Sequence, residues 1–336
     1  METNEPHDQV IQMIAGYWST QAVYVAAKLR IADQLVESPK SAAQLAAATN
    51  THERALYRVL RALASTGVFR EREDGCFELT PQGECLRSDV EGSQWALAVM
   101  SGEEQYRAFG DLLYSVRTGE IAFDHCIGEP IFEFLSKNEE QAAIFDRAMT
   151  SVHGRETDPM IEAYDFSRFE TIVDVGGGNG TVIASVLKSA PQTRGVLYDL
   201  PHVIERSSEN LVALGVDDRC ELRAGSFFDS VPEGADAYVM RHIIHDWDDD
   251  KACTILRNCH CAMKPDGTLL VFDSVIDPGN EPDPAKFLDL AMLVIPGGLG
   301  RTENEFRALF ASAGFELTRI LPTPVGLSLI EGRKLA

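Results

Sequence analysis

The sequence predicts a two-part chain of the α/β class. A helical N-terminal part with a small hairpin precedes a mostly parallel sheet with helices on both faces. Three observations carry this. The first hundred residues show apolar side chains at helical spacing and one turn signal between two strand-like runs. From residue 170 onward, short apolar strand runs alternate with helical stretches, the pattern of βαβ units. The first of those strands, in TIVDVGGGNG, runs straight into a glycine loop. At 336 residues the chain is long for one core and comfortable for two domains.

The elements follow in order. Segment 10–37 places Val10, Ile14, Tyr17, Val23, Ala26, Leu29 and Leu35 at helical spacing. SAAQLAAA at 41–48 reads as a short helix. His52 to Thr66 reads as another, with Leu56, Val59, Leu60 and Leu63 on one face and Gly67 ending it. Runs Val68–Arg72 and Cys76–Thr80 flank Asp74-Gly75, a hairpin signal. Helices followed by a hairpin make a winged helix-turn-helix. Residues from about 93 to 165 read as helical and rich in aromatic and Met side chains. Strands are expected at 170–175, 194–199, 220–223, 235–240, 268–274, 315–321 and 326–331, with helices at 181–189, 202–214, 249–263 and 302–313. The domain boundaries expected are 1–100 for the winged-helix part, 101–165 for a helical linker lining the substrate cleft, and 166–336 for the α/β domain.

Composition excludes several partners. The net charge is -22 and the pI about 4.7, so the chain repels nucleic-acid phosphates unless a basic patch intervenes, and none is visible. The helix that would enter a DNA groove carries only His52, Arg54, Arg58 and Arg61, and the hairpin beside it is acidic. Dimerisation through the apolar N-terminal helices is the better reading. No apolar run approaches the roughly 20 residues of a membrane helix. The polar start METNEPHDQV lacks the features of a secretory signal. Seven cysteines without a disulfide pattern fit a reduced compartment, so a cytoplasmic protein is expected. Cys253, Cys259, His260 and Cys261 lack metal-ligand spacing, and Asp246, Asp248, Asp249 and Asp250 read as a solvated helix start. No metal is expected.

The glycine loop carries the chemistry. Asp174, Gly176, Gly178 and Gly180 follow the spacing D-x-G-x-G-x-G, which lets backbone turn sharply and approach a ligand. Asp199 ends the next strand, where an acidic side chain can bond both ribose hydroxyls of an adenosine cofactor. The dinucleotide fingerprint G-x-G-x-x-G fails at Thr181, so the loop suits a cofactor with no pyrophosphate to cradle.

Four blocks then fall in order: VDVGGGNG at 173–180, LYDLPHVIE at 197–205, RHIIHDW at 241–247 and GRTENEF at 300–306. Together they resemble the plant caffeic-acid and hydroxyindole type O-methyltransferases and their bacterial natural-product relatives, over nearly the whole chain. The resemblance implies a class I, Rossmann-like methyltransferase fold with a mostly parallel seven-stranded sheet, an N-terminal winged-helix dimerisation domain and a homodimer. The implied cofactor is S-adenosyl-L-methionine, released as S-adenosyl-L-homocysteine. Gly176 and its loop would hold the methionine moiety, and Asp199, with Leu200 beside it, the ribose. Ser226 and Phe227 stand where the family contacts adenine, although the family usually has Asp at the former. Arg241, Lys in many plant members, lies near the cofactor, and Trp247 packs by the adenine. Met149 and His153 match a helix lining the cleft, and Phe287 and Met292 with the Gly297-Gly298 pair point to a flat apolar slot for a hydroxylated aromatic substrate.

His245 occupies the family's catalytic-base position. By its residues alone it is equally a surface histidine in an acidic loop. Two acids bracket this histidine in the family. Asp273 matches the first, Glu in plant members. The second position is Gly300 here, and Glu303, one turn away, is the substitute expected. A departure at a bracketing acid keeps an alternative open: the same scaffold binding S-adenosylmethionine without using its methyl, as a hydroxylase or pericyclase.

Overall fold

The computed structural model describes residues 5–335. The chain divides into two compact units: residues up to Asp111 with Cys126–Gly154, and Leu112–His125 with Arg155 to the C-terminus. The stretch 101–165 is therefore shared between the units instead of forming a body of its own.

In the first unit the helical run over 10–37 is broken. A helix spans Pro6–Lys28, Arg30 adopts a left-handed φ of +52°, and a short helix, Ile31–Gln34, follows. The bend turns Ile31, Ala32 and Leu35 into a core with Leu45, Leu56, Leu60, Leu63, Phe69 and Phe77. Ser41 and Gln44 form a reciprocal capping box on helix Ala42–Thr49. Helix Glu53–Ser65 buries Leu56, Leu60 and Leu63 at i, i+4 and i+7. The hairpin forms as expected from Asp74-Gly75, and a two-residue strand that the sequence does not announce joins it. β1 (Lys40–Ser41), β2 (Phe69–Glu71) and β3 (Cys76–Leu79) are ordered β1-β3-β2. Two residues are too short to show periodicity.

The second unit is a seven-stranded sheet. β4 (Thr171–Val175), β5 (Arg194–Asp199), β6 (Cys220–Ala224), β7 (Ala237–Arg241) and β8 (Thr268–Asp273) pair in parallel, and β10 (Ser328–Lys334) pairs antiparallel with both β8 and β9 (Phe315–Pro322). The order is β6-β5-β4-β7-β8-β10-β9. β4, β7 and β8 are buried on both faces and, apart from Asp174 and their end residues, are apolar throughout. The chain starts at β4, winds out to β6, then crosses back to β7. That reversal opens a crevice at the carboxyl ends of β4 and β7, where open α/β sheets bind ligands. The carboxyl ends of the parallel strands carry Gly176, Asp199, Arg241 and Asp273.

Candidate active site

The glycine loop leaves β4 with φ values of +67° at Gly176 and +58° at Gly178. A Cβ at Gly176 would meet Ile243 Cδ1 at 2.5 Å, whereas one at Gly178 would meet nothing within 4 Å. The loop is thus packed on one side and open on the other. Asp174 lies beneath it, 1% exposed, with Oδ2 accepting the Ile183 N–H at 3.2 Å. Burial lifts this carboxyl to about 7, although the Arg241 charge pulls against it. Asp174 therefore braces the helix Thr181–Ser189 and shapes the loop from below. Asp199 Oδ2 accepts from Gly178 N at 2.8 Å and Oδ1 from Leu200 N at 2.7 Å, which fixes an acid at the rim.

Phe227, Phe228 and Trp247 pack edge to face, with centroids 4.8 and 4.9 Å apart for the two closest pairs. Asn258 Nδ2 holds the carbonyls of Phe227 and Phe228 at 2.8 and 3.0 Å. Phe227 and Ile243 flank Gly176. Ser226 Oγ accepts the Phe228 N–H at 3.3 Å, so its hydroxyl shapes the turn. Arg241 Nη1 donates to Thr157 Oγ1 at 2.9 Å. A loop open at Gly178, a rim carboxylate and an aromatic wall together fit S-adenosylmethionine. The loop and Asp199 would hold its methionine and ribose parts, and Phe227 and Trp247 its adenine.

On the other flank His245 sits in a 3₁₀ turn, Ile244–Asp246, just past β7. It is 9% exposed, and Asp273 beneath it is fully buried. His245 Nδ1–H donates to Asp273 Oδ1 at 2.7 Å, and its backbone N–H donates to Oδ2 at 3.2 Å. Because a carboxylate only accepts, the ring hydrogen belongs on Nδ1 and Nε2 is left to take a proton. Nε2 lies 3.6 Å from Asp246 Oδ1. Burial works to lower the proton affinity of His245, but the Asp273 charge and hydrogen bond, with Asp246 behind them, carry it up to about 9. Burial alone would raise Asp273, and His245 holds it below the usual carboxylate range. Burial pushes Asp246 up to about 6.

Sequence reasoning weighs His242 as a weaker rival to His245 but misses its partner, Glu156. His242 has a left-handed φ of +56°, uncommon for a residue other than glycine. Its Nε2–H donates to Glu156 Oε2 at 2.8 Å, and its ring lies 5.1 Å from that of His245. Burial and its cationic neighbours lower its proton affinity. The sequence has no signal for Glu156, one acid among many and far from the motif. His242, His245 and Asp273 bring three potential ligand atoms within 4.8 Å of one another. Hydrogen bonds to Glu156 and Asp273 already engage both rings.

Two residues expected at the site, Glu303 and Phe287, fall elsewhere. Glu303 does not join His245: it opens helix Glu303–Ser312 after the Thr302 cap, and its carboxylate runs along the solvent face to Arg307 at 2.6 Å. The carboxylate at Gly300 is Asp289, whose Oδ1 accepts the Gly300 N–H at 2.7 Å. Phe287 is 77% exposed and does not wall an enclosed slot, while Met292 on the same helix is half-buried. Met149 and His153 lie on helix Glu139–Gly154 of the first unit, where Met149 packs against the Trp95 cluster.

With this geometry in place, comparison with known proteins is decisive. The O-methyltransferase domain model matches residues 107–316 and the O-methyltransferase dimerisation domain matches 11–89. The chain belongs to the O-methyltransferase family. It is 45% identical to phenazine O-methyltransferase PhzM of Lysobacter antibioticus over 97% of this chain and 96% of that one. It is 34% identical to aclacinomycin 10-hydroxylase RdmB of Streptomyces purpurascens over 94% of this chain and 86% of the other. Among solved structures it resembles NcsB1, an O-methyltransferase of neocarzinostatin biosynthesis, in complex with S-adenosylmethionine and 2-hydroxy-5-methyl naphthoic acid. The TM-score is 0.85 and the identity 32%, over 94% of this chain and 96% of that one. This is therefore an S-adenosylmethionine-dependent O-methyltransferase of natural-product biosynthesis. Among the described residues no helix is long and apolar enough to cross a membrane.

Proposed function

We propose that the enzyme methylates a hydroxyl of a small aromatic natural product, with His245 as general base and Asp273 as its orienting partner. The buried Asp273–His245 hydrogen bond carries this reading, because it fixes the ring with Nε2 free to receive a proton. Bound S-adenosylmethionine supplies a methyl already activated on a sulfonium. The chain's task is then to align the acceptor oxygen and remove its proton. Alignment contributes roughly 7–11 kcal/mol in favourable cases. His245 Nε2 would take the hydroxyl proton as the acceptor oxygen displaces the methyl from its sulfonium, whose sulfur leaves as the neutral thioether, and Asp273 would stabilise the imidazolium that results, as in hydrolase triads. No metal is needed, since a phenol of ordinary pKa near 10 yields its proton to a placed imidazole. A histidine of affinity about 9 is largely protonated at neutral pH, so kcat/KM of the free enzyme should climb with pH along a His245 limb.

The similarity to a phenazine O-methyltransferase makes hydroxylated phenazines the first substrates to try, followed by naphthoates and simple phenols. Methyl-labelled S-adenosylmethionine should deliver label to oxygen, and His245→Ala should cut that delivery by about 10²–10⁴-fold. The similarity to a hydroxylase sustains one rival, a chain that alters its substrate without spending the methyl. Altered substrate without S-adenosylhomocysteine would establish that rival. We also propose a homodimer. Ile11, Met13, Ile14, Tyr17 and Trp18 are exposed on helix Pro6–Lys28 of the single chain, within the matched dimerisation domain. A monomer by light scattering at micromolar concentration would refute it.

A further inference from the structure

The Asp273 pair fixes the ring and the backbone N–H of His245, but a second device holds the rest of its turn. Arg301 is 1% exposed, among the largest fully buried side chains among the described residues. Its guanidinium has five N–H donors, and every one has an acceptor. Nη1 donates to the Ile244 and Leu299 carbonyls, both at 3.0 Å. Nη2 donates to the Trp247 carbonyl at 2.9 Å and to Asp249 Oδ1 at 2.8 Å, and Nε reaches the same Asp249 oxygen at 3.0 Å. Two of these carbonyls flank His245 in sequence. The carbonyl of His245 itself accepts the Leu299 N–H at 2.9 Å. The loop between is pinned by Asp289 Oδ1 on Gly300 N–H, and by the Arg301 carbonyl accepting from Ile276 N at 2.9 Å. Gly298 is pressed so close that a Cβ there would meet the His245 carbonyl oxygen at 2.0 Å.

We propose that Arg301 is a positioning residue for the general base, setting the orientation of the His245 turn. The inference rests on His245 being the base. A fork of five donors matched to four acceptor atoms cannot be replaced by lysine, which offers three donors from a single point. The Arg301 cation also opposes Asp273, acting to lower the proton affinity of His245. Without it the base would hold its proton to higher pH and work over a narrower range.

The test compares Arg301→Lys, Arg301→Gln, Asp289→Ala and His245→Ala. Each full-length protein carries isotope-labelled histidine. The His245 signal is identified among the eight histidines by its loss in His245→Ala, and its titration is followed by NMR. Methyl transfer is measured on the best substrate of the hydroxylated panel. In Arg301→Gln the His245 titration should move upward by roughly half a unit or more, while in Arg301→Lys it stays near wild type because the charge remains. Both should lower kcat by about tenfold or more, with KM for S-adenosylmethionine little changed, since a small misplacement of a catalytic group is costly. A wild-type titration in Arg301→Gln, or wild-type kcat in the folded Arg301→Lys protein, overturns the proposal. If both Arg301 variants unfold, Asp289→Ala decides, because it loosens the same loop from a half-buried position. A perturbed His245 signal with kcat down about threefold or more supports the proposal, and wild-type behaviour in both overturns it. Full activity in His245→Ala would instead overturn the general-base reading. An inactive His245→Ala beside an unaffected Arg301→Lys would sink this inference alone.

Discussion

The two flanks of the crevice, proposed to hold the cofactor and the general base, are built differently. On the cofactor flank, backbone does the work: Gly176 and Gly178 hold left-handed conformations, and Asp199 accepts the amide hydrogen of Gly178 in the loop it faces and that of its neighbour Leu200. The partners there follow adjacent strands, with Gly178 and Asp199 21 residues apart. On the base flank, side chains do the work. His245 depends on Asp273, 28 residues away, and on Arg301, which grips the carbonyls of Ile244 and Trp247 from 57 and 54 residues away. The first flank is backbone shape anchored by one carboxylate, and it fails when a Cβ is added at Gly176. The second is a buried charge network, which fails when one member is lost because the others are left uncompensated.

The largest expected effect separates the flanks outright. His245→Ala should lower kcat by about 10²–10⁴-fold, the usual contribution of a placed general base. Affinity for S-adenosylhomocysteine, measured by calorimetry, should stay within about threefold, because the glycine loop and Asp199 are untouched. A joint loss of binding and turnover would show that the flanks are one unit. Next comes Asp273→Asn. The amide no longer fixes Nδ1–H or stabilises an imidazolium, so kcat should fall by about ten- to a thousandfold. The sign of the accompanying pH effect follows from the cause. The Asp273 charge raises His245, so its removal should carry the acid limb of kcat/KM to lower pH even as the rate drops.

The same contrast explains what could be read from the sequence. The strand–helix alternation, the hairpin at Asp74-Gly75 and the glycine spacing are local signals, and the sheet and loop form where they point. Asp273 is legible only because a whole block pattern places it. Glu303 is suggested by nearness along the chain to the missing acid at Gly300, but helix geometry turns it toward Arg307. The carboxylate at Gly300 comes from Asp289, on the preceding helix. The break at Arg30 is invisible in the sequence because it is dictated by burial of Ile31 and Leu35, a tertiary demand. Glu156 and Arg301 escape notice for the same reason: their roles exist only through contacts that spacing does not encode.

A smaller effect sharpens the cofactor flank. Asp199→Ala removes an acceptor from the amides of Gly178 and Leu200. Hydrogen bonds to charged groups contribute about 1.5–3 kcal/mol, so affinity for S-adenosylhomocysteine should weaken by roughly ten- to a hundredfold. With saturating cofactor, kcat should recover to within a few-fold of wild type. A kcat that stays low at saturation would show that the loop also positions the reacting groups.

The smallest effect concerns stability, and it distinguishes the flanks by pH window. Asp174 has a folded-state value raised to about 7 from an ordinary value near 4. Its stabilising contribution is therefore present below about pH 4 and is lost as pH rises through about 7. His245 is raised to about 9 from about 6.5, so its contribution is present below about pH 6.5 and lost as pH rises through about 9. Both erode stability with rising pH, but in successive windows. Asp174→Asn keeps an oxygen for the Ile183 N–H while removing the titration. It should flatten the fall in thermal midpoint between about pH 4 and 7 and leave the variant a few degrees more stable than wild type at pH 8. His245→Gln should flatten only the upper window. Should Asp174→Asn instead lose stability at every pH, the charge of Asp174 toward Arg241 would outweigh its burial, and the cofactor flank too would be a charge network.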